Sequence, residues 1–444
     1  MFFKKCSLEN KSISDWRNFN KYYPIKKYPE AMSFITLLNN KINEEEFLKD
    51  ASTLIKFLSP SLAMVKNEEG NHYKKLVIEN TIDFIVNDYP KNTPDVIFIP
   101  GNNDLSQLDD LVYTLFLLKK KLIKNNIENA EEIIAAIPIV ISGKGGHGVT
   151  AGPIFATTEA EAMHYYLKKR LLYGKNGLKN PIYLEKEAEN TGANIDFTKP
   201  IMRQIALETQ KEEQGLNVWL VPTPVGGMRQ LFTVSKQSGD TTKKGGKGYN
   251  LHQVYILPDR NKIIRDYFNI NNQEDAGINL FAALRETINY VSYMLNNDFM
   301  SPNAPDPDDL REALTITFKY YKCLTKNTIK REESIIEAII KFSVLKEEKG
   351  GMSYLEKKDK QLINSIKKDM KSIIQYFLNA FAQIERQHME YLPEKLRLKN
   401  NERSTQSLLH QQEMLTKQYS AFFHSNYIID DLPYIESKLE YRCK

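Results

Sequence analysis

The central part of the chain, residues 95–258, alternates short apolar runs with amphipathic stretches. The apolar runs are continuous and occupy residues 96–99, 137–141, 182–184, 218–221 and 254–257. Strands have this composition when helices cover both faces of a parallel sheet. Helical periodicity falls between the runs, near residues 108–123, 158–172, 199–214 and 228–237. The pattern predicts an α/β core with a doubly wound parallel sheet, whose ligand crevice lies at the carboxyl ends of the strands.

The two flanks of this core have the three-and-four spacing of amphipathic helices. Before the core, apolar residues recur in this way from about residue 29 to residue 88. After it, apolar stripes run through residues 281–295, 335–342 and 362–381, and the proline-broken segment 301–309 ends in good helix N-caps. The sequence therefore predicts a helical N-terminal extension over residues 1–90, the α/β domain over 91–260, and a large all-helical C-terminal region over 261–444.

Composition and charge are those of an ordinary folded protein. Of 444 residues, 41% are hydrophobic and 26% charged, and 61 Lys and Arg stand against 56 Asp and Glu. Lys and Glu are interleaved along the chain, so we predict no nucleic-acid partner. The longest apolar run, residues 133–141, is too short for a membrane span, and the N-terminus lacks the apolar segment of a signal peptide. We expect a cytoplasmic protein, or one secreted by a route that uses no such signal.

The cysteines and histidines form no recognisable disulfide or metal motif. Cys6, Cys323 and Cys443 lie far apart and are odd in number, which favours a reducing compartment. No two histidines have the HxH or HExxH spacing of a transition-metal site. We predict no bound metal.

Polar residues cluster after four of the predicted strands, where the crevice is expected. The loop SGKGGHG, residues 142–148, follows the second strand, and its glycines leave backbone N–H groups accessible to an anion. Its spacing is neither GxGxxG nor GxxxxGK[ST], so a tight structural turn is an equally good interpretation. The predicted ligand-binding residues are Gly101, Asn102, Ser142, Gly143, Lys144, Gly145, Gly146, Glu159, Asn190, Thr191, Asn194, Thr223 and Arg229.

The charged candidates each have a functional and a structural interpretation. Glu185 ends a strand with no helix to cap at once, so it is the strongest single prediction, either as an acceptor for a ribose hydroxyl or an amine or as a general base. His147 is a second acid/base candidate. Arg229 and Lys144 are the predicted partners of an anion, although either could be an ordinary surface cation. Glu159 opens a helix, where the helix dipole alone could stabilise a carboxylate. In the same way, Thr191 and Asn194 could simply cap a helix.

Three of these segments resemble motifs of the YdcF-like family, also called the DUF218 domain. Residues 139–167 resemble its SGG-G…EAE-M signature, residues 184–197 resemble its E…NT-eN motif, and a T…R segment follows the next strand. The resemblance covers about residues 95–258. It implies a Rossmann-like core with an acidic, amide-lined pocket and S-adenosylmethionine as the candidate cofactor. The positions that match family pocket residues are Gly101, Ser142, Gly143, Glu159, Glu185, Asn190, Thr191 and Asn194.

Two functions stay open at this point. The first is a small-ligand-binding protein with a nucleotide-like or phosphorylated ligand in the crevice and, if there is turnover, transferase or hydrolase chemistry with Glu185 or His147 as acid/base. The second is a catalytically silent α/β scaffold whose C-terminal helices bind a protein partner, as in a bacterial effector. The family commonly has His, and Arg three residues later, after the fourth strand. This chain has Gly227 and Gln230 there, which favours the second function.

Overall fold

The structure is a computed structural model, which describes fourteen stretches of the chain. They are residues 44–60, 62–66, 73–77, 81–101, 106–144, 158–161, 163–164, 167, 180–239, 247–256, 260–268, 273–296, 305–348 and 356–391. The predicted site residues Asn102, Gly145, Gly146 and His147 lie outside the described residues.

Seven strands form one mixed, mostly parallel sheet. In chain order they are β1 Leu62–Lys66, β2 Tyr73–Val77, β3 Val96–Pro100, β4 Ile139–Ser142, β5 Ile182–Glu185, β6 Leu216–Leu220 and β7 Leu251–Ile256. Across the sheet they follow the order β2-β1-β7-β6-β3-β4-β5. The five strands from β7 to β5 are parallel, whereas β1 pairs antiparallel with both β7 and β2. The predicted α/β class is confirmed at this level, and each of the five predicted strands is present.

Helices cover most of the remaining described chain. They are α1 Glu44–Leu58, α2 Thr81–Asn87, α3 Ser106–Lys124, α4 Ala130–Ala136, α5 Thr191–Glu208, α6 Gly227–Gln237, α7 Arg260–Tyr267, α8 Gln273–Asn296, α9 Pro307–Thr325, α10 Glu332–Glu348 and α11 Lys357–Tyr391. Residues 159–161 are helical as well, within the helix predicted near 158–172. The N-cap of α9 is Asp306, within the segment predicted to end in helix N-caps, and its Oδ1 accepts from the backbone N of Asp308 at 2.9 Å. None of the described helices combines the length and the apolar composition that crossing a bilayer requires.

The predicted N-terminal extension is wrong for residues 62–66 and 73–77, which form strands instead of helix. β1 adds an antiparallel strand beside β7, with Ala63 opposite Tyr255 and Met64 opposite Val254. Ala63 and Met64 are fully buried there. The apolar run of β1 is four residues long, and a run of this length does not distinguish a strand from a helix by spacing alone.

The sheet has a hydrophobic core on each face, because successive strand residues point to opposite sides. On one face, Val96 and Phe98 of β3 pack with α1, α5, α6 and the C-terminal helices. On the other face, Ile97 and Ile99 pack with α2, α3, α4 and the helical residues around Met163. Burial on both sides explains why the strands are continuous apolar runs.

The helices before and after the α/β part share the first of these two cores. The ring of Tyr290 in α8 lies 5.3 Å from the ring of Phe57 in α1 and 6.4 Å from that of Phe232 in α6, between centroids. The same cluster continues to Phe377 in α11. The division of the chain at residues 90 and 260 stays a prediction.

Candidate functional site

The carboxyl ends of β3, β4 and β5 lie side by side, because the three strands are parallel neighbours. Pro100 is opposite Ser142, and Ser142 is opposite Glu185, at the last position of each strand. Helical residue Glu159 and the first turn of α5 approach the same place. We refer to Gly101, Ser142, Gly143, Glu159, Glu185 and Asn194 as the rim cluster. Six of the predicted site residues therefore meet at one end of the sheet.

Ser142 is the centre of the rim cluster. Its hydroxyl is fully buried and donates a hydrogen bond to Glu185 Oε2. Oδ1 of Asn194 lies 3.1 Å from Ser142 Oγ, and the backbone oxygen of Asn194 lies 3.2 Å away. The single proton of the Ser142 hydroxyl is used in its hydrogen bond to Glu185, so Ser142 Oγ can only accept a hydrogen bond from Asn194. The Asn194 side chain makes this bond when its amide is turned so that the nitrogen faces Ser142. These three side chains join β4, β5 and α5.

The carboxylate of Glu185 is held by three donors of the protein. Besides Ser142, the backbone N–H groups of Glu187 and Ala188 donate to its Oε1, at 2.5 Å and 3.0 Å. The side chain is buried, so these bonds replace water. Glu185 thus fixes the loop that follows β5. Its predicted role as a general base stays a prediction, and this structural role competes with it.

Gly101 and Gly143 make room for the Glu159 carboxylate. A β-carbon on Gly143 would lie 2.8 Å from Glu159 Oε2 and 2.7 Å from the Cα of Gly101, and Gly143 has a φ of +141°. A β-carbon on Gly101 would lie 2.6 Å from the backbone oxygen of Ser142. Only glycine fits both positions without moving this carboxylate. At Gly101 and Gly143, the glycines therefore admit a buried protein anion, which differs from the predicted exposure of backbone to a ligand anion.

The two predicted cations are both paired with carboxylates of the protein. Arg229, in the first turn of α6, lies 3.0 Å from Glu286 of α8 (Nε to Oε2) and donates to Thr191 Oγ1 at 2.6 Å. Arg285 also pairs with Glu286, at 2.5 Å. Lys144 is exposed and lies 3.0 Å from Glu189. Each cation thus already has an anionic partner within the protein.

Burial and charge act in opposite directions on the Arg229–Glu286 pair. Burial by itself would raise the pKa of the Glu286 carboxyl, but the charges of Arg229 and Arg285 prevail and lower it. Burial would likewise lower the pKa of Arg229, but the charge of Glu286 outweighs burial and raises this pKa. The pair is therefore charged, with side-chain exposures of only 14% and 7%.

The remaining described candidates are helix caps or turn residues. Asn190 is the N-cap of α5, and its Oδ1 accepts from the backbone N of Ala193 at 3.0 Å. Thr223 lies in the turn before α6, where its backbone N donates to Gln230 Oε1 at 3.3 Å. In the described part of the chain, no hydrogen bond joins Thr223 to the rim cluster. The roles of helix cap and turn residue account for the contacts that these positions make.

No family model, curated protein or solved structure matches this chain. The resemblance to the YdcF-like family therefore stays a prediction. Among the described residues, no three His, Cys, Asp or Glu side chains form a group that could hold a metal ion.

Chemically, the described rim offers mostly hydrogen-bond acceptors. Glu159 and Glu185 are carboxylates, while Arg229 and Lys144 face carboxylates of the protein itself. Acceptors in a dry site bind O–H, N–H and ammonium groups of a ligand. The arrangement is chemically suited to hydroxyl and amine donors and not to an anionic group.

Two residues at this site were not singled out by the sequence. Glu286 belongs to a C-terminal helix, and no local pattern signals its contact with Arg229, 57 residues earlier. Gln107 lies in the first turn of α3, the next described helix after β3, and is 2% exposed. A polar residue soon after a predicted strand end was the available signal for Gln107.

Proposed function

We propose that the crevice at the carboxyl ends of the strands binds a small nucleotide-like ligand, with S-adenosylmethionine as the named candidate. The rim cluster is the observation that carries this proposal. Two buried carboxylates and an amide, from separate segments of the chain, gather where a doubly wound sheet has its ligand crevice. Hydroxyl and amine groups of the ligand are the complementary chemistry.

The strand order supports a Rossmann-like, doubly wound topology. If the parallel strands are counted from β3, their order across the sheet is 3-2-1-4-5, as in dinucleotide-binding folds. The helices after β3 and β4 pack on one face, and those after β5 and β6 on the other. The direction of winding therefore changes between β3 and β6. Ligands of such sheets bind outside the carboxyl ends of the strands at this point.

Turnover is a separate part of the proposal. Transfer or hydrolysis at a phosphate or glycosyl centre would use Glu185 or His147 as the acid/base. The three donors around Glu185 favour binding over proton transfer at this carboxylate.

Ligand-induced stabilisation of the full chain tests the binding proposal. A ligand at 100 times its Kd stabilises a protein by about 2.7 kcal/mol, so S-adenosylmethionine should raise the unfolding temperature measurably. Adenosine should do so as well, and inorganic phosphate should not, because the rim carboxylates repel anions. The variant Glu159→Gln should reduce the shift.

Glu187→Gln is the matched control for this experiment, since Glu187 is exposed. Its shift should equal that of the wild type. The proposal is wrong if neither S-adenosylmethionine nor adenosine changes the unfolding temperature of a folded protein.

A second candidate function is the silent scaffold with a helical protein-binding surface. The Arg229–Glu286 pair favours it, because a helix from the C-terminal region neutralises a predicted ligand contact. A folded protein that no nucleoside stabilises would support this second function.

A further inference from the structure

Gln107 is a buried amide at the start of α3. It occupies the second position of this helix, and its Nε2 lies 3.9 Å from Met163 Sδ. A thioether sulfur is only a weak acceptor. The other end of the amide, Oε1, is buried without a hydrogen-bond partner among the described residues. Whichever way the amide is turned, one end faces sulfur and the other faces no described donor or acceptor.

An amide in this position lowers the stability of the free protein. A buried polar group without a partner has lost its hydrogen bonds to water and has gained none in return. Leucine has a similar size and would fill the same space without this cost. Natural proteins tolerate such a local conflict mainly at sites where the polar group has another task.

Gln107 lies in the first turn of the helix that follows β3 and contacts the helix that carries Glu159. Helical side chains tilt towards the helix N-terminus, so Gln107 extends towards the carboxyl ends of the strands. Met163, its neighbour, follows Glu159 by four residues and shares its helix face. Glu159 in turn lies against Gly101 at the end of β3. Met163 and the helix of Glu159 therefore connect the unpartnered amide to the rim cluster.

We infer that Gln107 contacts the ligand, and that its amide oxygen accepts a hydrogen bond from an N–H donor of the bound molecule, such as the exocyclic amine of an adenine-type base. This inference rests on the proposed function and adds the part of the ligand that is recognised. The rim carboxylates and this amide oxygen are all acceptors. A ligand rich in N–H and O–H donors complements them.

The variant Gln107→Leu tests this inference with two readouts on the full chain. Without ligand, its unfolding temperature should rise, because the unpartnered amide is gone. Its affinity for adenosine should fall about tenfold or more, since one hydrogen bond to the base is lost. Purine riboside lacks the exocyclic amine. The wild type should bind it about tenfold more weakly than adenosine, and Gln107→Leu should bind the two alike.

Thr93→Val is the matched control, because Thr93 Oγ1 is another buried atom without a described partner, at the amino end of the sheet. This variant should keep the wild-type affinity for adenosine. Unchanged affinity in Gln107→Leu, or a loss of its stability, would overturn the inference while the proposed function stands. A wild type that binds neither adenosine nor S-adenosylmethionine would contradict both.

Discussion

The two ends of the parallel sheet both bury polar side chains, but they satisfy them differently. At the amino ends, the amide of Asn217 donates to the backbone oxygens of Lys91 and Thr93, at 2.8 Å and 3.0 Å. Asp95 has a cation, Lys211, at 2.7 Å. At the carboxyl ends, Glu185 is buried, and no described cation forms an ion pair with it.

The two ends therefore differ in how a buried carboxylate is compensated, by a cation for Asp95 and by hydrogen bonds alone for Glu185. The hydrogen bonds at the amino ends hold the loop before β3 against the sheet. The neutral amide of Asn217 and the ion-paired carboxylate of Asp95 are sufficient for this. Both ends leave a buried amide oxygen without a described partner, Asn217 Oδ1 at the amino end and Gln107 Oε1 at the carboxyl end, and each of these costs stability. Of the two carboxylates compared, only Glu185 lacks a described cation, and a local conflict of this kind is expected where a protein binds its ligand.

The largest expected difference between the two ends concerns their ion pairs. Arg229→Leu leaves the buried Glu286 carboxylate with less compensation and should cost about 3–5 kcal/mol of unfolding free energy. Lys211→Met removes a partly exposed partner of Asp95, with 30% of the lysine side chain accessible, and should cost less than about 1 kcal/mol. Urea unfolding of both variants measures this contrast.

The double variant Arg229→Leu/Glu286→Leu serves as the control for burial of a lone charge. It should recover much of the loss, because two apolar side chains leave no uncompensated carboxylate. Equal losses for Arg229→Leu and Lys211→Met would contradict the distinction between the two ends.

A smaller contrast concerns the hydrogen-bonded side chains. Glu185→Ala leaves two backbone N–H groups and the Ser142 hydroxyl without their acceptor, and should cost about 2–3 kcal/mol. Asn217→Ala leaves two carbonyl oxygens that water can reach more easily, and should cost about 1–2 kcal/mol. The exposed control Glu187→Ala should stay within about 0.5 kcal/mol of the wild type. A Glu185→Ala protein as stable as this control would remove Glu185 from the structural network.

The sequence predicts those features that depend on short-range pattern and on topology. Continuous apolar runs identified the five parallel strands, since such runs reflect burial on both faces. Parallel strands all end at the same edge, so the meeting of Ser142 and Glu185 followed from their positions after two strands. The glycines at positions 101 and 143 were predicted as site residues for the same reason.

What the sequence did not predict depends on contacts between distant segments. The Arg229–Glu286 pair joins α6 to α8, and no local spacing connects them. The unpartnered state of Gln107 depends on which side chains surround it. β1 lies inside the stretch predicted as helical from its neighbours; its four apolar residues fit either period, and its pairing with β7 shows that it is a strand. The start of α5 at Thr191 was missed because its first turns bury polar residues such as Asn194 and Asp196.

The smallest contrast concerns pH and salt, and it compares the Glu286 carboxyl with a carboxyl on the surface. The pKa of Glu286 is lowered in the folded protein, against burial, by Arg229 and Arg285. The hydrogen bond and charge of Arg311 lower the pKa of the exposed Glu337. A lowered folded pKa means that the unfolded chain binds more protons in acid. Each carboxyl therefore adds stability above its unfolded pKa and loses it as pH falls through the folded pKa.

Unfolding free energies between about pH 7 and pH 3 should therefore fall less steeply in Glu286→Gln than in the wild type. High salt should leave this difference in place, because a buried pair is screened weakly. Any such difference for Glu337→Gln should disappear at about 1 M salt, where exposed charges are screened within about 3 Å. Identical pH slopes for Glu286→Gln and the wild type would mean that the Arg229–Glu286 pair does not stabilise the fold, and the carboxyl end would then resemble the amino end in its energetics.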